Sequence, residues 1–158
     1  MPVYLVQHGQ AASEARDPAR PLTEGGREEV GRMARYAARL GLGPAEIWHS
    51  EKLRALQTAE IFAEHLVPSP IFREQRGMSP GDDPVLVLPR LEAAADPVML
   101  VGHLPHLSRL ASLLLVGDSS RGIIQFRNAG IVCLARGEGG WRLDWALPPD
   151  LVPGVAGR

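Results

Sequence analysis

The chain has a single cysteine, Cys133, among its 158 residues. An internal disulfide is therefore excluded, and with it the stapled scaffolds of small secreted proteins. Lysine is almost missing as well: Lys52 is the one lysine among 17 basic residues. Arginine is the default cation here, so no single arginine is informative by itself. No run of about 18 apolar residues is present to span a bilayer. The opening Met1-Pro2-Val3-Tyr4 carries neither a basic segment nor a long apolar one, so no signal peptide is visible. A cytoplasmic location is expected by elimination. The formal net charge of -1 offers no broad attraction to nucleic acid or to an anionic membrane, so an anion site has to be local.

Several catalytic devices are missing too. Without a Gly-x-Ser-x-Gly elbow, a P-loop or a Gly-x-Gly-x-x-Gly turn, serine hydrolases, P-loop nucleotide hydrolases and dinucleotide enzymes drop out. Cys133 lies in the apolar segment Ile131-Val132-Cys133-Leu134, without an arginine at the spacing of a cysteine phosphatase loop, and reads as core. His103 and His106 are spaced i,i+3, with His8 as a third candidate ligand. With no His-Glu-x-x-His pattern and no carboxylate at ligand spacing, no metal or other cofactor is expected.

What is present is the pattern of one α/β domain. Hydrophobic content of 45% with 22% charged residues suits a globular chain, and its length is that of one domain with a sizeable core. Apolar runs at Val3–Val6 and Val98–Val101 read as strands buried on both faces. Ala45–His49 reads as another. Between them, Thr23 is a candidate N-cap for a helix from Glu24 to Leu40 with Val30, Met33, Ala34, Ala37 and Leu40 on its inner face and a Glu28–Arg32 pair outside. Ser50 is a candidate cap for a helix with a Leu53, Leu56, Ala59, Phe62, Leu66 stripe. Residues 67 to 84 read as a long loop with at most one short strand near Ile71-Phe72. A helix is expected over Pro84–Ala95 and another from Pro105. Ile123–Phe126, Gly130–Ala135 and Trp141–Trp145 are read as a closing meander. Strands alternating with helices predict a mostly parallel central sheet with helices on both faces, residues 1–147, and a loosely packed tail, residues 148–158.

The two buried runs end alike, in Gln7-His8-Gly9 and Gly102-His103-Leu104-Pro105. If they are parallel neighbours, their carboxyl ends share the edge at which open α/β sheets bind ligands, and two distant histidines converge. Gly9 leaves room for close approach to the backbone, and an imidazole can serve as nucleophile or base. Arg54, one turn into its helix, can offer a bidentate fork to a phosphate. Arg20 lies on a loop beside a helix N-terminus, a good anion locale. Without further context, solvated arginines and strand-capping histidines remain the bland readings of these four.

Taken together, Leu5-Val6-Gln7-His8-Gly9, Arg20-Pro21-Leu22-Thr23, Ser50-x-x-x-Arg54-Ala55-x-Gln57-Thr58 and Gly102-His103-Leu104-Pro105 resemble, in order, the motifs of the histidine phosphatase superfamily. The match is nearest to its small SixA-like branch, the phosphohistidine phosphatases, and spans roughly Val3 to Leu115. The resemblance implies a phosphoglycerate mutase-like fold and metal-independent phosphoryl transfer through a phosphohistidine intermediate. His8 would attack phosphorus, Arg54 and His103 would bind the equatorial oxygens, and Gln7, Gly9 and Arg20 would line the same pocket. Gln7 departs from the family's usual arginine. Glu74 resembles the general acid of larger members, with Asp82 and Asp83 as rivals. A phosphoramidate can also dispense with a dedicated acid, because its leaving imidazole takes a proton before cleavage. The expected partner is a phosphorylated protein of the histidine phosphotransfer type or a small phosphorylated metabolite. A phosphate-binding module weakened at Gln7 is the reading of another class.

Overall fold

The computed structural model describes residues 1–154. Its centre is a six-stranded sheet in the order β3-β2-β4-β1-β5-β6. β1 (Pro2–Gln7), β4 (Val98–Gly102), β2 (Glu46–His49) and β3 (Ile71–Glu74) run parallel, while β5 (Ile131–Gly137) and β6 (Gly140–Leu147) close the β1 side as antiparallel strands. Both faces of the centre are covered, as the uninterrupted apolar runs require. Tyr4, Val6, Ile47, Met99 and Val101 pack against α1 (Glu24–Arg39) and α2 (Leu53–His65). Val3, Leu5, Trp48, Val98 and Leu100 form the second core with α3 (Leu88–Ala93) and α4 (His106–Val116).

The pairing of β1 with β4 runs from Val3 opposite Val98 to Gln7 opposite Gly102. Both strands therefore stop at the same level, and the next residues are His8 and His103. α1 begins where expected: the Thr23 side chain accepts the Gly26 N–H at 2.9 Å. A side chain at Gly9 would place its Cβ 2.5 Å from Val30 Cγ2, and one at Gly26 would collide with the Gln10 carbonyl. The loop leaving β1 is thus pressed against α1 with no room to drift.

The structure corrects several expectations, the first being Leu40, which is exposed at the C-terminal end of α1. α2 is rotated: Arg54, Ala55, Thr58, Ala59, Phe62 and Ala63 are its buried face, whereas Leu53 and Leu56 are half-buried. Its alanines lie in the same core cluster as Ala34 and Ala37 of α1, against which α2 packs, and the rotation that buries them turns Arg54 inward as well. Ser50 does not cap α2 from the N-cap position, which Lys52 occupies. Ile123–Phe126 is not a strand; its Phe126 is instead an apolar plug in the second core. The helix expected over Pro84–Ala95 begins as a tight 3₁₀ turn, Pro84–Val87, and continues as α3, the break falling where Pro89 lacks an N–H. Arg32 contacts Glu29 at 3.9 Å rather than Glu28, and its guanidinium donates to the Pro149 carbonyl at 3.2 Å. The start of the tail accordingly docks, with Pro149 and Val152 buried against the α1 side; residues 155–158 of the expected loose tail lie outside the described residues.

Candidate active site

His8 follows β1 with its backbone N–H donated to the Gly102 carbonyl at 3.0 Å. Its carbonyl accepts the Asn128 side-chain amide at 2.9 Å, and the neighbouring Gln7 carbonyl accepts the Ala129 N–H at 2.8 Å. The Gly9 N–H donates to Thr58 Oγ1 at 3.0 Å, and that hydroxyl donates in turn to the Arg54 carbonyl at 2.8 Å. The first turn of α2 is thereby pinned to the loop that carries His8. Gln57 adds a second tie, its Oε1 accepting the Leu22 N–H at 2.8 Å.

The His8 and His103 rings lie with centroids 5.0 Å apart and planes inclined by 54°. His8 Nδ1 is 2.6 Å from the Gly9 carbonyl. A carbonyl can only accept, so Nδ1 carries the proton and Nε2 keeps its lone pair. Burial is the main reason that the His8 pKa falls to about 4; the Gly9 carbonyl opposes the fall, and the Arg54 and Arg20 charges reinforce it. His103 is pushed down to about 3, again chiefly by burial, then by His8, Arg54, His106 and Lys52. At neutral pH both rings are uncharged.

The positive charge of the site therefore belongs to the arginines. Arg54 is 9% exposed, yet among the described residues it forms no ion pair and its Nε has no partner. Burial lowers its proton affinity and Arg20 lowers it further, while the Glu51 charge opposes the fall. Arg20 adopts the left-handed backbone conformation at φ 49, rare for a side chain of this size, and its Nε donates to the Ala12 carbonyl at 3.0 Å. Two guanidinium groups held in no ion pair among the described residues, beside two neutral imidazoles, make a pocket suited in charge to one tetrahedral dianion. A groove of about 620 Å³, lined among others by Ala12, Ser13, Arg16 and Asp17, borders the Arg20 loop.

Gln7, Gly9, Arg20, Arg54 and His103 thus gather around His8, although Gln7 brings no charge and its Oε1 is buried without a partner. The three candidate acids do not join them. Glu74 ends the exposed strand β3, opposite His49 and three strands from β1, about 14 Å at the spacing of a sheet. Asp82 Oδ2 accepts the Ser79 N–H, and Asp83 Oδ1 accepts the Val85 N–H, each at 3.0 Å, so both shape their own turns. His106 is fully buried and faces that same loop, with Asp82 and Asp83 acting on it. Among the described residues, no group of three or more His, Cys, Asp or Glu is placed to hold a metal ion. Cys133 is buried, and burial pushes its thiol up to about 11.

Sequence reasoning missed Asn128, Ala129 and the contact of Ser50 with His103. Asn128 and Ala129, the latter at φ 63, sit in a turn with no motif around them. Ser50 was visible, but as a helix cap.

A family model for the histidine phosphatase superfamily (branch 1) matches residues 3–77. The protein histidine phosphatase SixA, solved with tungstate, superposes with a TM-score of 0.83 at 28% identity, covering 96% of this chain and 99% of that one. The chain belongs to the histidine phosphatase superfamily. It lies in the SixA-like branch, and it is a phosphatase. A SixA-type protein from Agrobacterium tumefaciens is similar at a TM-score of 0.78 and 27% identity, covering 94% of this chain and 97% of that one. An uncharacterized protein from Picosynechococcus sp. is 36% identical over 146 residues, 87% of this chain and 86% of its own length. A mycobacterial glucosyl-3-phosphoglycerate phosphatase, at 18% identity and a TM-score of 0.73, covering 91% of this chain and 96% or more of that one, shares the fold alone.

Proposed function

We propose that this phosphatase removes phosphate from phosphohistidine in a protein, through a covalent intermediate on His8 and without a metal ion. The observation that carries the reading is two neutral imidazoles beside two unpaired arginines, with no carboxylate among the groups acting on either ring. His8 Nε2 attacks phosphorus in line, its lone pair kept free by the Nδ1–H bond to Gly9. Arg54, Arg20 and His103 hold the three equatorial oxygens, where charge gathers during transfer. Water then attacks phospho-His8, releasing phosphate and restoring the neutral ring.

The missing acid favours a phosphoramidate over an ester. An alkoxide leaving group needs a proton from the enzyme as the bond breaks. An imidazole titrates near pH 6.5 and can take its proton from water beforehand. SixA, with its tungstate, is a relative that binds a tetrahedral oxyanion of this shape. No helix among the described residues is long and apolar enough to cross a membrane, in keeping with a cytoplasmic protein substrate.

The test compares turnover of a phosphohistidine peptide, p-nitrophenyl phosphate and a panel of phosphorylated metabolites, each with and without EDTA. Preference for the peptide, undiminished by EDTA, and an acid-labile phosphoenzyme that is lost in His8→Ala are expected. Preference for a metabolite defeats the protein-substrate reading.

A further inference from the structure

His103 needs something to decide which of its nitrogens carries the proton. Its ring has one anchor: Ser50 Oγ, 2.5 Å from Nε2, with both residues almost wholly buried. The same Oγ accepts the Lys52 backbone N–H at 3.2 Å. Ser50 is fully buried, and among the described residues His103 Nε2 is the one acceptor within reach of its hydroxyl proton. Were Oγ to accept from Nε2 as well as from Lys52, that proton would be buried without a partner, so it is directed at Nε2. Ser50 itself cannot swing away. Its carbonyl accepts His49 Nδ1–H at 2.9 Å, and β2 is paired on both sides, with β3 and with β4.

We propose that Ser50 is a positioning residue that locks His103 as its Nδ1–H tautomer, so that this ring offers a donor to the oxyanion while His8 offers a lone pair. Nδ1 of His103 is buried and has no partner among the described residues, as expected of a donor not used within the fold. The other tautomer would turn a lone pair toward the anion and repel it. The role at the anion rests on the function proposed above, but the tautomer itself does not.

Ser50 also acts on proton affinity. The groups facing His103 are His8 from the end of β1, Arg54 from α2, Lys52 just before it and His106 from α4, and all of them disfavour its charged form. A hydroxyl donating to Nε2 works in the same direction, because it stabilises the lone pair. Removing that hydroxyl raises the proton affinity of His103.

The full chain, labelled with ¹⁵N in its histidines and free of substrate, reports the tautomer by long-range proton–nitrogen NMR, with His103 assigned through His103→Gln. Wild type is expected to show Nδ1 protonated and Nε2 bare at neutral pH. Ser50→Ala should give an averaged mixture that titrates at higher pH, and Ser50→Thr should keep the wild-type pattern. Turnover of the preferred phosphorylated substrate should fall about tenfold in Ser50→Ala, the worth of one hydrogen bond, and recover in Ser50→Thr. A protonated Nε2 in wild type overturns the proposal whatever the variants do. So does an unchanged ring pattern in a folded Ser50→Ala, or full activity when the pattern has changed. Because the spectrum needs no turnover, a wrong substrate leaves this test intact.

Discussion

β1 and β2 end in the same local device. His8 donates Nδ1–H to the carbonyl of the next residue at 2.6 Å, and His49 does so at 2.9 Å. Both rings are buried at the carboxyl edge of one parallel sheet. The difference lies in what other elements bring. Arg54 and Arg20 bear on His8, whereas the ring beside His49 is Phe72 of the edge strand, with centroids 6.2 Å apart. A histidine fixed in one tautomer at a strand end is thus common property of the fold. Cations placed by α2 and by the loop before α1 convert one such residue into a candidate nucleophile. Replacing each histidine breaks the comparison most directly. His8→Ala is expected to lose at least ~10⁴-fold in steady-state turnover, and His49→Asn to stay within about fivefold while losing thermal stability. Equal losses in the two variants would mean that the arginines do not distinguish the sites.

The next largest effect tests the cations themselves. Arg54→Ala removes a buried fork from a pocket whose imidazoles are neutral, leaving Arg20 as the one guanidinium acting on His8. A loss of about 10²–10³ in kcat is expected, partly restored by Arg54→Lys, which returns the charge without the fork. Inhibition by tungstate should weaken in parallel.

The same contrast explains what could be read from the residues alone. β1 and β4 were legible because a strand buried on both faces must be apolar throughout, and the histidines that follow announce a shared edge. α1 was legible from its period and its Thr23 cap. α2 was legible as a helix but not in its rotation, since Leu53 and Leu56 are larger apolar residues than Ala55 and Ala59. Close packing on the alanines of α1 won over side-chain size, and the winning face carries Arg54. His49 and Asn128 were not legible, because a hydrogen bond to a backbone carbonyl leaves no pattern in the side chains around it. Ser50 was half legible: its position at a helix start is a local property, while its contact with His103 depends on β2 lying beside β4.

Acid separates the two strand ends by another route. The unfolded chain protonates His8 near pH 6.5, whereas the folded chain resists protonation until about pH 4. Between those values the unfolded state binds more protons, so stability is fully present above pH 6.5 and falls as pH drops toward 4. The shift corresponds to about 3 kcal/mol as an upper bound, and His103 adds a fall in the same direction. Denaturant titrations at pH 7, 5.5 and 4.5 should show this slope, and it should flatten in His8→Gln. Turnover is expected to hold down to about pH 5, since His8 is still neutral there. Activity that falls with a midpoint near 6.5 would show an exposed, ordinary imidazole.

The smallest effect concerns the residue beside the proposed nucleophile. Gln7 ends β1 opposite Gly102, next to two arginines that already repel each other's charge. Its amide gives the pocket a neutral donor where a third guanidinium would add both a charge and a fork. A charged hydrogen bond in place of a neutral one is worth about 1–2 kcal/mol, so Gln7→Arg is expected to raise kcat/KM about tenfold. The gain should appear with phosphohistidine and with p-nitrophenyl phosphate alike, because the contact is to the phosphoryl oxygens that both share. A gain confined to the ester would place position 7 against the leaving group instead. A loss with both substrates would mean that a third cation costs more in mutual repulsion than the dianion returns, making the neutral amide the better partner for a pocket built around Arg20 and Arg54.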